Sequence, residues 1–345
     1  MQTLTVVIPT LNRADLLART IDHIESQTIS RDWYEVVVVD NNSTDDTPRV
    51  LAEKADRYAN LRFTCQTQPG AAAARNAGLA CAEGDLVLFI DDDIEADPEL
   101  IESHIRHHAE HADASVVGTI RTQWETTKVP FLRYLRDRRI YNPYSLTNGS
   151  MDFSCFHTGN VSTTRDMLNA VGGFDERFAV YGMEDIELGY RLERMGSTMM
   201  SAPDAVGTHI YSPTFAQFTE RCEQAGFSLG LMVNLHPELR NRFTENSSLG
   251  RFLRPFHGAY RLASPLFEPF TQALSALESR QGNGPVSVLL AFHFSWALRY
   301  NFFVGFSRYL EDGQSALAAL KGRAVEELNV DDTPSKIESS SVVSS

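Results

Sequence analysis

The apolar run Leu86–Ile90 leads straight into three consecutive carboxylates, Asp91, Asp92 and Asp93, and that join constrains the fold more than any other feature of the chain. A continuous apolar run of this length reads as a buried strand. In open α/β sheets the rim beyond such strand ends is where ligands bind. Packed like charges destabilise one another unless a cation or ligand lies between them. A hard divalent ion, Mg2+ or Mn2+, takes carboxylate oxygens and completes its shell with water and substrate phosphates, so the cluster points to a metal-held diphosphate. A solvated acidic loop is the competing reading.

The preceding residues alternate apolar runs with helical patterns, the signature of a parallel sheet covered by helices on both faces. Leu4–Ile8 reads as the first strand. After Pro9-Thr10-Leu11-Asn12-Arg13, residues 15–27 place Leu16, Leu17, Ile21 and Ile24 on one helical face. Tyr34–Val39 reads as a strand ending at Asp40, with turn and N-cap residues from Asn41 to Pro48 before a helix reaching about Tyr58. Leu61–Thr64 follows as a third strand, and Ala71–Ala82 as a small-residue helix able to approach the sheet closely. A helix over 98–109 and a strand over 115–122 complete this half. Parallel strands would gather Pro9, Thr10, Asn12, Arg13, Asp40, Asn42, Asp91 and Asp93 on one edge, forming a ligand crevice. Neither G-x-G-x-x-G nor G-x-x-x-x-G-K-[ST] occurs there, which argues against NAD and P-loop ATP chemistry.

At 345 residues the chain suits a large domain with a smaller appendage. Its formal charge of −14 argues against a general nucleic-acid binder. Cys65, Cys81, Cys155 and Cys222 are scattered without a C-x-x-C pair, so reduced thiols are expected. Met1-Gln2 runs directly into Leu4–Ile8 without a signal-peptide pattern, which makes a cytoplasmic protein the expectation.

Between Gln123 and Asp152 the pattern fades. Arg133, Arg136, Arg138 and Arg139 stand among Phe131, Tyr134, Leu135 and Tyr141, either as the solvated face of a surface helix or as a flap over an acceptor or phosphate. Phe153–Thr163 returns to strand character. A helix over 184–195 opens with Glu184, Asp185 and Glu187 and ends with Arg191 and Arg194, matching its dipole. Met199–Ala202 and Ala205–Ile210 read as two short strands, the second closing on His209. Beyond Pro213 the chain reads as helical over 215–235, 249–270 and 285–310. Charged and polar residues interrupt the last of these, so no transmembrane span is expected and a membrane surface or a partner copy are the candidate contacts. From Asn329 the Ser-rich tail is expected to be disordered.

Two further groups could carry chemistry. Glu184 and Asp185, behind a glycine turn at a helix start, serve either as a dipole complement or as a general base for an incoming hydroxyl. His209, structural by default, becomes a plausible ligand to Mn2+ or Mg2+ beside an Asp pair. Gly226-Phe227-Ser228-Leu229-Gly230 fits G-x-S-x-G, but its flanks read as one continuous helix, which disfavours a nucleophile elbow.

In order and spacing, several blocks resemble the family 2 inverting glycosyltransferases of the GT-A fold. They are Thr5–Arg13, Val38–Asp45, Gly70–Gly78, Phe89–Asp93, Thr158–Ser162, Gly172–Phe178 and Gly182–Leu192, spanning about residues 2–212. The resemblance implies a mostly parallel sheet flanked by helices, with a nucleotide-sugar half over 1–122 and an acceptor half over 123–212; the helical pattern beyond it, outside the resemblance, reads as an appendage over 213–328. It further implies metal-dependent, inverting transfer from a nucleoside-diphosphate sugar to an acceptor hydroxyl in glycan biosynthesis. Pro9, Thr10, Asn12 and Arg13 would line the nucleotide pocket, with Asn42 on the same edge, and Asp40 would recognise base or ribose. Arg75 would lie near the diphosphate. Asp91 would face ribose and metal, Asp93 and His209 the metal, and Asp92 could replace a neighbour. Asp185 would be the base and Glu184 a sugar or acceptor contact. A sugar nucleotidyltransferase and a non-catalytic nucleotide-sugar binder are the rival readings; release of pyrophosphate would mark the first and absence of turnover the second.

Overall fold

The computed structural model describes residues 2–138, 140, 149–245 and 288–328. In its first half, β1 (Leu4–Thr10), α1 (Ala14–Ile24), β2 (Tyr34–Asp40), α2 (Thr47–Arg57), β3 (Leu61–Cys65), α3 (Ala71–Cys81) and β4 (Leu86–Ile90) follow the expected alternation. Next come β5 (Ile94–Ala96), α4 (Leu100–Glu110), β6 (Ala114–Thr122), α5 (Pro130–Asp137), β7 (Ser150–Met151) and β8 (Asn160–Thr164). The remainder is α6 (Arg165–Val171), α7 (Glu184–Arg194), β9 (Thr198–His209), α8 (Phe215–Leu235) and α9 (Val288–Leu328).

Among the described residues the strands form one sheet in the order β3-β2-β1-β4-β8-β6-β9-β5, with β7 also paired to β9. The strands β3, β2, β1 and β4 are mutually parallel, whereas β8 runs antiparallel to both β4 and β6. The sheet is therefore mixed, and its parallel part carries the acidic strand end. Alternate side chains of one strand serve opposite cores. Val6, Ile8 and Leu88 pack with Leu17, Ile21 and Ile101 on one face. Val7, Val87 and Phe89 pack with Leu79, Leu168 and Leu188 on the other. Burying each such side chain is worth about 1.5–3 kcal/mol. The small-residue helix α3 does approach the sheet closely: a Cβ on Gly78 would collide with the Val7 side chain and lie 3.2 Å from Val39.

The structure departs from the sequence reading at several points. Residues 153–163 are not one strand, because Asp152 accepts from the Ser154 amide at 2.9 Å and caps a tight turn over Phe153–Cys155. The two short strands over 199–210 are a single strand, β9, with a bulge at Pro203-Asp204 where the register against β6 jumps from Ala202 to Val206. Within the basic segment Arg133 is buried, whereas Arg136 is half-buried and Arg138 exposed. Phe131, Leu132, Arg133, Tyr134 and Leu135 of α5 are all buried, and Phe131 packs on Phe215, Phe218 and Phe294 of α8 and α9. Arg139 and Tyr141 lie outside the described residues, as do the helix expected over 249–270 and the tail from Asn329. The G-x-S-x-G segment is helix interior, and Ser228 is buried within α8. Among the described residues no helix is long and apolar enough to cross a membrane.

A buried polar network joins α4 to β8. Ser162 Oγ lies 2.8 Å from both His104 Nδ1 and His108 Nε2, while His104 Nε2 lies 2.8 Å from Asn160 Oδ1. Burial holds both imidazoles neutral, lowering His104 to about 4 and His108 to about 3. The unfolded chain, with histidines near their usual value, takes up these protons first. Stability from this pair is full above about pH 6.5 and is lost as pH falls towards 4, by about 1.4 kcal/mol per pH unit for each group. Urea unfolding at pH 7.0, 6.0 and 5.0 should show this slope. A flat profile would contradict the neutral network.

Candidate active site

Parallel pairing brings the ends of β1, β2 and β4 to one level, with Thr10 opposite Asp40 and Val7 opposite Phe89. The loops beyond β1 and β2 brace each other. Asn12 and Asn42 adopt left-handed backbone, with φ of 52° and 70°, which asparagine tolerates better than most residues. Asn12 Oδ1 accepts from the Thr44 amide at 2.7 Å, and Asp40 Oδ1 accepts from the Ser43 amide at 2.8 Å. Half-buried Pro9 lies opposite Val39. Thus Asp40, Asn12 and Asn42 all stand at the expected edge, and the first two also build its loops.

The three aspartates have different surroundings. Asp92 is buried, and its two carboxylate oxygens accept from Thr10 Oγ1 at 2.7 Å and Arg13 Nη1 at 2.9 Å. Burial pushes its pKa up to about 6 despite the pull of Arg13, with the Asp93 charge adding to the rise. Asp92 therefore ties β1 and the start of α1 to β4. Arg13 also reaches Asp93 Oδ2 at 2.9 Å, and its guanidinium lies 4.8 Å from the Tyr211 ring centroid.

Asp93 Oδ1 is buried without a hydrogen-bond donor and faces His209 Nε2 at 3.5 Å. Burial lowers the His209 pKa, against the charges of Asp93 and Asp91, leaving the ring neutral as metal ligation requires. Asp91 is turned instead towards Arg75, whose Nη2 donates to its Oδ1 at 2.9 Å. Among the described residues, no three His, Cys, Asp or Glu side chains converge as a closed metal cage. The expected trio of Asp91, Asp93 and His209 is thus not preformed. An unpartnered carboxylate oxygen facing a neutral imidazole still fits Mn2+ or Mg2+, ions that rely on phosphate and water for their remaining positions.

Buried Arg75 joins this corner to the second acidic group. Its Nη1 donates to Glu184 Oε1 at 3.0 Å, and its guanidinium lies 5.7 Å from the Phe174 ring centroid. Glu184 and Asp185 open α7, whose positive dipole end favours them. Their environments push them apart. Burial, then the Asp185 charge, raises Glu184 to about 7 against Arg75, and Glu184 Oε2 is buried without a partner. Burial would raise Asp185 too, but the His157 hydrogen bond and charge, Arg75 and the Ile186 amide outweigh it and keep it ionised. His157 Nδ1 lies 3.4 Å from Asp185 Oδ2. This arrangement offers an ionised carboxylate beside a protonatable one, across a buried arginine from an acidic corner.

Sequence reasoning passes over His157, Tyr181, Tyr211 and Arg221. The pairing of Ile90 with Asn160 brings the turn before β8 alongside Asp91, so His157 becomes visible only once the antiparallel β4–β8 register is known. Tyr211 follows the noticed His209 and lies between two cations, with Arg221 of α8 5.0 Å from its ring centroid. Arg221 also lies 5.4 Å from the Tyr181 ring centroid.

Residues 5–170 match the glycosyl transferase family 2 model, and residues 138–214 match that of the N-terminal domain of galactosyltransferase. The chain is 33% identical over 268 residues to a validoxylamine A glucosyltransferase of Streptomyces hygroscopicus, covering 68% of this chain and 61% of that protein. To the chondroitin synthase of Escherichia coli it is 29% identical over 266 residues, covering 68% of this chain and 38% of that protein. It therefore spans less than two thirds of the length of either relative. Among solved structures, the mannosyltransferase PcManGT from Pyrobaculum calidifontis, in complex with GDP-Man and Mn2+, superposes with a TM-score of 0.54. That match has 23% sequence identity and covers 94% of this chain and 88% of the other. With the acidic strand end inside the first match, the carboxylates opening α7 inside the second and a GT-A-type arrangement of sheet and helices around them, the chain belongs to glycosyl transferase family 2.

Proposed function

We propose that this chain transfers a sugar from a nucleoside-diphosphate sugar to an acceptor hydroxyl, with inversion at the anomeric carbon. The observation that carries this reading is the buried Arg75 bridge, which holds the acidic strand end and the Glu184-Asp185 pair on either side of one site. Donor binding along β1, β2 and β4 would engage Pro9, Thr10, Asn12, Arg13, Asp40 and Asn42, with the diphosphate directed to Asp93 and His209. The Mn2+ and GDP-Man bound in the similar mannosyltransferase support a divalent ion and a sugar nucleotide here as well.

Asp93 and His209 would hold Mn2+ or Mg2+, with Asp91 near the ribose and Arg75 fixing its orientation. Bound there, the ion supplies Lewis-acid neutralisation of the charge that builds on the diphosphate. Asp185, kept ionised by His157 and Arg75, takes the proton of the acceptor hydroxyl as its oxygen attacks the anomeric carbon. The C–O bond to the diphosphate breaks, and the nucleoside diphosphate leaves with that electron pair. Glu184, raised towards neutrality, offers a hydrogen bond to a sugar hydroxyl from Oε2. Aligning donor and hydroxyl contributes alongside proton transfer.

A panel of UDP-glucose, UDP-N-acetylglucosamine and GDP-mannose tests the reading by thermal shift and nucleotide release. At least one donor should raise the melting midpoint with Mn2+, since a ligand bound only to the folded state stabilises it. The same donor should release a nucleoside diphosphate. Release of pyrophosphate, or binding without turnover under any acceptor tested, would overturn it.

A further inference from the structure

Helix α8 begins immediately after the last residue of either family match, yet one of its faces grips the loop that leads into Glu184 and Asp185. We propose that Gln224 and Ser228 of α8 are positioning residues for the general base, holding the backbone of Tyr181 so that α7 starts where Asp185 can act. This rests on the base role proposed above for Asp185.

Both sides of Tyr181 are pinned. Its amide donates to Gln224 Oε1 at 3.1 Å, and its carbonyl accepts from Ser228 Oγ at 3.2 Å. The next two residues need such a hold. Gly182 has φ of +95°, and a Cβ there would lie 3.0 Å from the Ala225 side chain. Met183 has φ of 70°, a left-handed conformation that is unfavourable for a bulky residue, and no side chain caps the helix that follows. Strain of this kind persists only where the surroundings enforce it. Gln224, Ala225 and Ser228, with Arg221 over the Tyr181 ring, fall at i, i+3, i+4 and i+7 spacing on one face of α8.

The opposite side of the same turns is committed to α9. A Cβ on Gly226 would collide with the Phe302 carbonyl, one on Gly305 with the Glu223 carbonyl, and Arg308 pairs with Glu223. The G-x-S-x-G pattern thereby has a physical reading: the glycines admit α9, and the serine donates to the catalytic loop. Catalytic geometry then depends on helices that follow both family-model matches.

The test compares wild type with the Gln224→Met/Ser228→Ala double variant and with Gln224→Met alone, should the double variant not fold. Amide exchange over residues 178–188 reads the clamp without reference to activity, and nucleoside diphosphate release from the donor panel with Mn2+ reads its role. We expect faster exchange in this segment, a kcat lower by about 10- to 100-fold and an unchanged donor KM, because displacing the base misaligns attack while leaving the donor pocket intact. Unchanged exchange, unchanged kcat, or a loss carried by donor KM would overturn the proposal. Absence of turnover in wild type would count against the transferase reading itself, while the exchange result still decides whether the clamp exists.

Discussion

Asp185→Asn should lower kcat by about 10²–10⁴-fold while leaving donor affinity close to wild type, because the substitution removes a proton acceptor without changing the shape of the α7 start. Asp185 is the member of the acidic pair held ionised, through His157, Arg75 and the Ile186 amide. Glu184, raised to about 7, is the weaker candidate at neutral pH. Steady-state kinetics with the best donor, alongside nucleotide titration by thermal shift, separates the two quantities. A kcat within about threefold of wild type would remove Asp185 from the base role, since general-base contributions fall well above that. A matched loss in donor affinity would instead indicate a collapsed site.

Asp93→Asn should abolish metal-stimulated donor binding, lowering turnover at fixed Mn2+ by more than about 100-fold, beyond the 10- to 100-fold that outer-shell changes cost. The fold should survive, because Arg13 keeps its pairing with Asp92 and asparagine preserves the shape at Asp93. The wild-type protein in EDTA should behave as this variant does. Full turnover of wild type in EDTA, or of Asp93→Asn with Mn2+, would dissociate the acidic strand end from the diphosphate.

The parts of this site that are legible in the sequence are those where chemistry and position coincide. An apolar strand can end on Asp91, Asp92 and Asp93 only at a rim, and parallel pairing of β1, β2 and β4, readable from their apolar runs alone, gathers Thr10, Asp40 and Asp91 there. What separates the three aspartates is invisible in the sequence, because adjacent residues of identical type differ only in the direction the backbone gives them. Thr10 and Arg13, 82 and 79 residues away in the chain, decide that Asp92 faces inward. Arg133 misleads for a related reason: an arginine in a basic helix reads as solvated, yet Arg133 is buried in a helix whose Phe131 packs on aromatic residues of α8 and α9. The Arg75 bridge needs two long-range contacts at once, with Asp91 16 and Glu184 109 residues away. The β9 bulge reads as a break because Pro203-Asp204 carries turn residues, which a bulge tolerates as readily as a loop.

The buried arginine also gives the two acidic groups a shared electrostatic fate. Each carboxylate gains from a cation held away from water, and removal of Arg75 would leave Glu184 and Asp91 without it. The architecture thereby sets the two acidic groups in one frame, with strand ends on one side and a helix start on the other.

In the proposed reaction the departing diphosphate lies at Asp93 and the attacking hydroxyl at Asp185, on opposite sides of one anomeric carbon. Proton NMR of the first-formed glycoside reads that arrangement directly. An α-linked sugar nucleotide should yield a β-linked product through a single displacement, and an α-linked product would contradict it.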